Sequence, residues 1–588
     1  MKDLERTFLD RLEILYGSER ARTILPRLLE VVHRFQADDA ITHPRVSEQQ
    51  LSERDTILIT YGDMVKQEGI PPLQTLARFA EKHLKGLIST LHILPFFPYS
   101  SDDGFSVIDY RKVNPEFGTW EDIARINQHF NLMFDAVINH ISSESDWFKG
   151  FLSGDPRFAD YFISVDPQTD LSSVVRPRDL PLLTPVQTSE GRRYVWTTFS
   201  ADQIDLNFAN PDVMLEILDL LLFYVRQGAK LIRLDAIAFL WKEIGTSCIH
   251  LPKTHHAVKL MRELFDAVAP WVLIITETNV PHEENLSYFG DGTDQAHLVY
   301  QFALPPLVLH TLQSGDASHL SAWASDLRLP SDQVTFFNFL ASHDGVGLRP
   351  AQGILSEEEI TMLVQRTEAG GGGISYRRVG EGDRSPYELN INYFDALAEP
   401  KTGNKAVTRS IARFLASQAI MLSLVGVPGI YFHSLFGSRN YPEGVERSGH
   451  LRAINREKLT LQALEADLAQ PDSLRARVFE GYSRMLSTRA SQPAFHPHGE
   501  QQILDLGPYV FTVLRLSPNQ GRRVLCVHEV SGRRQRLDVH LPIGSQYKPI
   551  DLLTGETVSL DACQLTPYQV RWINLDKGIK NENRTTSL

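Results

Sequence analysis

The sequence predicts an α/β protein: a (β/α)8 barrel with inserted loop subdomains and a small C-terminal antiparallel β domain. Three observations carry that expectation. From about residue 55, eight short apolar runs alternate with helical segments. Several of these runs end in acidic residues or histidines, as barrel strands delivering side chains to one mouth would. Two long polar stretches interrupt the alternation, and in a barrel such excursions build the active face. An open doubly wound sheet is the rival arrangement of the same elements.

Residues 1–50 read as a helical extension, with Phe8, Leu12 and Leu15, then Leu28, Val31 and Val32, on helical spacings. The catalytic barrel is expected over 51–495. Its strand candidates are ILIT (57–60), TLHILPFF (90–97), LMFDAVIN (132–139), KLIRLD (230–235), WVLIITE (271–277), HLVYQF (297–302), VTFFNFLAS (334–342) and VPGIYF (427–432). Helical segments such as PDVMLEILDLLLFYVRQG lie between them, with Gly228 as a stop. The insert 142–205 follows the third strand, and an acceptor-loop region, 343–425, follows the seventh. The latter holds AGGGGISYRRVGEGDRSPYELN, whose tetraglycine (370–373) lacks the GK[ST] of a phosphate cradle and reads as a hinge. Residues 496–588 carry short strands (YVFTVLRL, RVLCVHEV, RLDVHL, VRWINL) broken by turn signals, then a polar tail, DKGIKNENRTTSL, expected to be loose.

Composition narrows the function classes. With 42% hydrophobic and 22% charged residues the chain reads as soluble and globular. It has no apolar stretch near the roughly 18 residues of a membrane span. The start, MKDLERTFLDRLEILYG, is too charged for a secretory signal. Three scattered cysteines (Cys248, Cys526, Cys563) form no disulfide framework or metal spacing, so a reducing cytoplasm is the expected location. A net charge of −13 argues against nucleic-acid binding but permits a small anion held by local arginines. No metal or cofactor is expected.

The chemistry lies at the strand ends. In KLIRLDAIAF, alternate residues share a face, so Arg233 and Asp235 project together at the end of the fourth strand. The guanidinium would keep the aspartate ionised, as a nucleophile requires. WVLIITE ends on Glu277, VTFFNFLASHD on His343 and Asp344, and LMFDAVINH on Asn139 and His140. Paired carboxylates converging on one mouth suit glycoside chemistry, in which one attacks the anomeric carbon and the other protonates the leaving oxygen.

DAVINH (135–140), IRLDAIAF (232–239), ITETNV (275–280) and FLASHD (339–344) resemble the four signature motifs of the α-amylase superfamily, glycoside hydrolase family 13. The resemblance implies Asp235 as nucleophile, Glu277 as general acid/base and Asp344 as transition-state stabiliser, with His140, Arg233 and His343 lining the glucosyl subsite. Further segments resemble the sucrose phosphorylase subgroup. These are HILPFFPYSSDDGFSVIDYRKV (92–113), WTTFSADQIDLNF (196–208), KEIGTSCIHLPKT (242–254) and RAINRE (452–457). They imply Asp102 on sugar hydroxyls, Phe105 as a stacking wall, Phe199 and Gln203 at the subsite, and Arg452 reaching the glucosyl unit.

A phosphorylase needs local positive charge that a hydrolase does not. RPR (176–178) and Arg377, Arg378 and Arg384 could supply it, and the subgroup resemblance places Arg178 and Arg384 over the acceptor side, with Tyr387 and Glu388. The loop RSPYELN (384–390) departs from the subgroup's Leu-Asp-Leu-Tyr-Gln-Val-Asn. An aspartate is replaced by Ser385, a leucine by Arg384 and a glutamine by Glu388, while the usual tyrosine four residues after the nucleophile is Phe239. Gaining an arginine while losing an aspartate suits an anionic acceptor. The whole chain is most similar to the glucosylglycerate-cleaving members of this group. That likeness implies reversible phosphorolysis of 2-O-α-D-glucosyl-D-glycerate to α-D-glucose 1-phosphate and D-glycerate, with inorganic phosphate as co-substrate. The alternatives are sucrose, sucrose 6-phosphate or glucosylglycerol as substrate, a retaining α-glucosidase, or a non-catalytic amylase-fold interaction protein.

Overall fold

The computed structural model describes residues 2–38, 51–379, 383–399, 403–540 and 548–576. Eight parallel strands close into a barrel: Ile57–Thr60, Thr90–Ile93, Asn131–Ala136, Ala229–Leu234, Leu273–Thr276, Leu298–Tyr300, Thr335–Phe339 and Val427–Tyr431. Each falls within or beside an apolar run of the sequence. The first strand pairs with both the second and the eighth, which closes the ring and excludes the open sheet. The strands are buried on both faces, as a barrel wrapped in helices requires. Most strands stop one to three residues short of the apolar run. The remainder includes Asn139, Asp235 and Glu277, which follow the strand ends.

The helices Lys2–Tyr16 and Ser18–Gln36 form an amphipathic pair at the N-terminus. Phe8, Leu12, Leu15, Leu28, Val31 and Val32 are all buried, and Arg11 pairs with Glu263 on the helix Pro252–Val268. Residues 39–50 of the expected extension lie outside the described residues. Helix Pro211–Arg226 has an Asn210 cap and ends at Gly228, whose φ of 96° suits glycine.

The insert after the third strand contains the hairpin Leu183–Thr188/Gly191–Trp196 and returns through Gln203–Asp205, which pairs with His140–Ser142. After the seventh strand, Val346–Gly347, Asp383–Asn390 and Gly373–Val379 form a three-stranded antiparallel sheet over the mouth. The tetraglycine links helix Glu357–Ala369 to this sheet, and a Cβ on Gly372 would lie 2.7 Å from the Asn390 carbonyl oxygen. Close backbone approach therefore demands glycine there.

The C-terminal region forms a five-stranded antiparallel sheet (Glu500–Ile503, Val510–Leu516, Arg523–Glu529, Val570–Asn574, Ile550–Asp551) and a two-stranded one, Gln535–Leu537 with Cys563–Leu565. It has its own apolar cluster around Leu525, Val527 and Ile573. Of the expected loose tail, 577–588 lies outside the described residues. Among the described residues, no helix is long and apolar enough to cross a membrane, and no group of three or more His, Cys, Asp or Glu could hold a metal ion.

Candidate active site

Arg233 organises the centre. Its Nη1 donates to Asp135 and, at 2.7 Å, to Asp235, while Nη2 lies 3.9 Å from Glu277. The register that pairs Asp135 with Arg233, and Arg233 with Ile275, brings these three strand ends together. Asp135, also bonded to His92 Nε2 at 2.7 Å, is held down to about 2, Arg233 and the His92 hydrogen bond outweighing burial. It balances Arg233 deep in the barrel. After Asp235 the chain turns sharply: Ala236 has a φ of 50°, strained by about 1 kcal/mol. That turn aims the Ala236 N–H at Glu277 Oε2, 3.0 Å away.

Burial pushes the Asp235 carboxyl up to about 8, against the pull of Arg233, and also raises Glu277. Two buried carboxyls beside one guanidinium titrate as a coupled pair, so the upward shift belongs to the two together. Arg233 touches Asp235 and stands farther from Glu277, so within the pair its charge favours the ionised form of Asp235. Burial opposes ionisation of Asp344 too, but Arg452 and Arg456 outweigh it and hold that carboxyl well below its ordinary value. Arg452 donates to Asp344, and Arg456 Nη2 lies 3.7 Å from it.

The wall around this centre is aromatic. Phe105 stacks on His343 with ring centroids 4.6 Å apart and planes 3° off parallel. His140 Nε2 and Gln203 Nε2 both donate to the Phe105 carbonyl, at 2.9 and 3.0 Å. Burial drives His343 down to about 3 and lowers His140, so both imidazoles are neutral. His140, Phe199 and Phe239 continue the wall, with successive centroids 5.3 and 5.5 Å apart.

Asp102 sits on a strained turn. Asp102 and Asp103 have φ values of 51° and 53°, and a Cβ on Gly104 would meet the Pro95 carbonyl oxygen at 2.5 Å. Arg178 Nη2 approaches Asp102 at 3.4 Å and Arg456 Nη1 at 3.6 Å, and they hold it down to about 2 despite burial.

The expected acceptor residues are distributed differently from one another. Tyr387 lines a small cavity that also meets Glu277, Asn279, Phe199 and Phe239. Arg178 instead pairs with Asp102 and lies over Phe199 at 5.6 Å. Arg384 is mostly exposed and pairs with Asp179 at 3.2 Å. Glu388 is buried, bonded to Arg452 at 2.9 and 3.1 Å and to the Gly345 N–H at 3.2 Å. The arginines that line the cavity are Arg176, Arg349 and Arg377. The Arg378 side chain lies outside the described residues. Sequence reading passed over Arg349, which has no strand-end position or motif; only the fold of the loop after Asp344 brings it here.

The α-amylase catalytic-domain model matches residues 82–345. Over 572 residues, 97% of this chain, the sequence is 51% identical to glucosylglycerate phosphorylase of Allomeiothermus silvanus, covering 99% of that protein. It is 45% identical, over the same share, to glucosylglycerate phosphorylase of Escherichia coli, covering 100% of it. Among solved structures, sucrose 6F-phosphate phosphorylase from Thermoanaerobacter thermosaccharolyticum aligns with a TM-score of 0.73 at 24% identity, over 89% of this chain and 100% of that one. The barrel, its carboxylate-bearing mouth and these likenesses define a carbohydrate-active enzyme, and the chain belongs to the α-amylase family. Within that family it is a glycosyltransferase of the phosphorylase type.

Proposed function

We propose that the enzyme cleaves 2-O-α-D-glucosyl-D-glycerate reversibly with phosphate, giving α-D-glucose 1-phosphate and D-glycerate. The observation that carries this reading is the cavity against Glu277, lined by three arginines where a sugar-binding pocket would ordinarily offer carboxylates. Both partners of the glucosyl unit in this reaction, phosphate and glycerate, are anions. The relatives named glucosylglycerate phosphorylase support the same acceptor.

In the first half-reaction Asp235, the carboxyl in contact with Arg233, attacks the anomeric carbon from the β face, opposite the departing oxygen. Glu277 gives its proton to the departing glycosidic oxygen, and glycerate leaves. The product is a β-glucosyl ester of Asp235. In the second, a phosphate oxygen attacks the same carbon from the cavity side, the ester bond breaks, and Glu277 recovers a proton from phosphate. Two inversions return the α configuration. Asp344, kept ionised by Arg452 and Arg456, faces the positive charge that develops on the ring. Asp102, Phe105, His140, Phe199, Gln203, His343 and Arg452 enclose the single glucosyl unit.

The test is an acceptor screen. α-Glucose 1-phosphate is supplied with D-glycerate, glycerol, fructose or fructose 6-phosphate, and phosphate release is measured. Glycerate should support the fastest release by at least tenfold. Faster release with any of the others reassigns the acceptor, and free glucose as the main product makes the enzyme a hydrolase. A folded Asp235→Ala variant should lose turnover, and unchanged turnover removes the nucleophile assignment.

A further inference from the structure

The two arginines of the cavity that flank Tyr387 stand in an unusual relation. Arg377 is half-buried on the strand Gly373–Val379, and the charged or titratable groups acting on it are Arg349 and Tyr387. Arg349, on the short helix after Val346–Gly347, has one carboxylate neighbour among the described residues, Glu284, at 3.6 Å. That carboxylate is nearly half exposed and is shared with His250 at 3.2 Å. Arg349 and Arg377 therefore line one cavity together with Arg176 and Glu277, and the one ion-pair partner of the two among the described residues is the outlying Glu284. Like charges partly removed from water repel, and burial together with Arg349 lowers the Arg377 pKa. Folding tolerates such a pair when an anion occupies the space between.

The hairpin explains why Arg377 has no carboxylate partner among the described residues. Arg377 lies directly opposite Ser385 in the antiparallel register, a relation that puts Cβ atoms about 5 Å apart. A carboxylate at 385 would reach across and neutralise it, and 385 is the position where sucrose phosphorylases carry an aspartate. Arg384, one residue earlier, projects from the opposite face of the strand and meets Asp179 instead. A bulge between the Ser375 and Tyr376 pairings adds Tyr387 to its strand, which re-aims that side chain into the cavity beside Arg377. The Asn279 amide meets the Tyr387 hydroxyl at 3.4 Å, and its Oδ1 is buried without a hydrogen-bond partner.

We infer that Arg349 and Arg377 form one anion seat that holds phosphate in one half-reaction and the acceptor's carboxylate in the other, kept open by the uncharged Ser385. The inference rests on the phosphorylase reading above and names the groups that recognise both anions. One seat beside one catalytic acid means that phosphate and glycerate exclude each other. It also means that a neutral polyol gains nothing from either arginine.

The experiment measures two ratios in the full-length enzyme, both internal to the active fraction and so insensitive to partial misfolding. The first is phosphorolysis against hydrolysis of glucosylglycerate at fixed phosphate. The second is kcat/KM for D-glycerate against glycerol, with α-glucosyl fluoride as donor. Arg349→Gln and Arg377→Gln should each lower both ratios by about 10- to 100-fold, the loss of one charge-assisted bond pair. Ser385→Asp should lower both without removing an arginine, and Arg377→Lys should retain most of each. A variant that lowers one ratio and leaves the other in place would overturn the single seat in favour of two. Ratios unmoved in all variants would remove the seat altogether while leaving the phosphorylase reading intact. A wild-type enzyme whose cleavage ignores phosphate would overturn both.

Discussion

Lys242 Nζ lies 2.6 Å from a carboxylate oxygen of Asp205, and neither side chain reaches solvent to a meaningful degree. The same ammonium donates to Asn139 Oδ1 at 2.7 Å, and Asp205 accepts from Asn139 Nδ2, the Thr198 N–H and the Thr198 hydroxyl. Each group in this network stands next to the aromatic wall. Asn139 precedes His140, Thr198 precedes Phe199, and Lys242 follows Phe239 by three residues. Three loops from different parts of the barrel are thereby fixed against one another behind the glucosyl subsite.

Removing the ammonium should be costly. Lys242→Met leaves the Asp205 carboxylate buried without a counter-charge, a loss of about 3–5 kcal/mol. The donor KM should rise several-fold more than kcat falls, because the wall shifts while Asp235 and Glu277 stay in place. Adding Asp205→Asn removes the orphaned charge and should recover most of the stability. Denaturant unfolding of the three proteins, with donor KM, checks this. A single variant as stable as wild type would show that the pair bears no strain.

The catalytic carboxyls should weaken the fold that holds them. Asp235, pushed up to about 8, and Glu277, also raised, bind protons more tightly folded than unfolded. Stability from such groups is fully present below their unfolded values near 4 and is lost as pH rises through the folded ones. Wild type should therefore lose stability between about pH 4 and pH 8, apart from the contributions of other groups. Asp235→Asn should lack much of that decline, with a higher Tm than wild type at pH 8 and little difference at pH 5. Parallel Tm-against-pH curves would contradict the coupled buried pair.

Asp202 is the tie that keeps Asp102 on its strained turn. Its carboxylate accepts from the hydroxyls of Ser100, Ser101, Ser106 and Ser143, and those bonds draw it below its usual pKa against its partial burial. Two non-glycine residues at positive φ, 102 and 103, each carry about 1–3 kcal/mol of strain that neighbouring contacts must offset. Asp202→Ala should raise the donor KM about tenfold or more and reduce stability by about 2 kcal/mol. Asp202→Asn, which keeps one acceptor oxygen, should fall between. Donor KM unchanged in a folded Asp202→Ala protein would show that the turn holds itself.

The barrel was readable because its signal is local. Apolar runs of four to nine residues with helices between them leave few alternatives, and strand parity alone puts Arg233 beside Asp235. Contacts between loops were not readable in that way. Lys242 sits in a polar segment, KEIG, with no periodicity to say that it turns inward. Arg349 follows Asp344 by five residues in a loop whose path depends on pairing with Asp383–Asn390. In the hairpin, the register and one bulge decide that Arg377 faces the cavity and Arg384 does not, and no residue type signals that register. The acceptor side of the site depends on tertiary pairing to a degree that the glucosyl side does not.

Glu388 separates two roles that the sequence alone could not. As an acceptor contact it would touch the ligand; in the fold it is buried, gripping Arg452 with both oxygens and taking the Gly345 N–H. Arg452 in turn donates to Asp344, and Gly345 is the next residue along. Glu388 thus braces Asp344 from two directions, through its arginine and through its backbone. If bracing is its function, Glu388→Ala should lower kcat by about 10- to 100-fold through displacement of Asp344, with the KM for D-glycerate changed less than threefold. Glu388→Gln keeps an oxygen for the Gly345 N–H and should restore part of the lost kcat. An acceptor contact predicts the reverse, a KM for glycerate that rises sharply at nearly constant kcat. Steady-state kinetics of the two variants with glycerate varied at saturating donor distinguishes them.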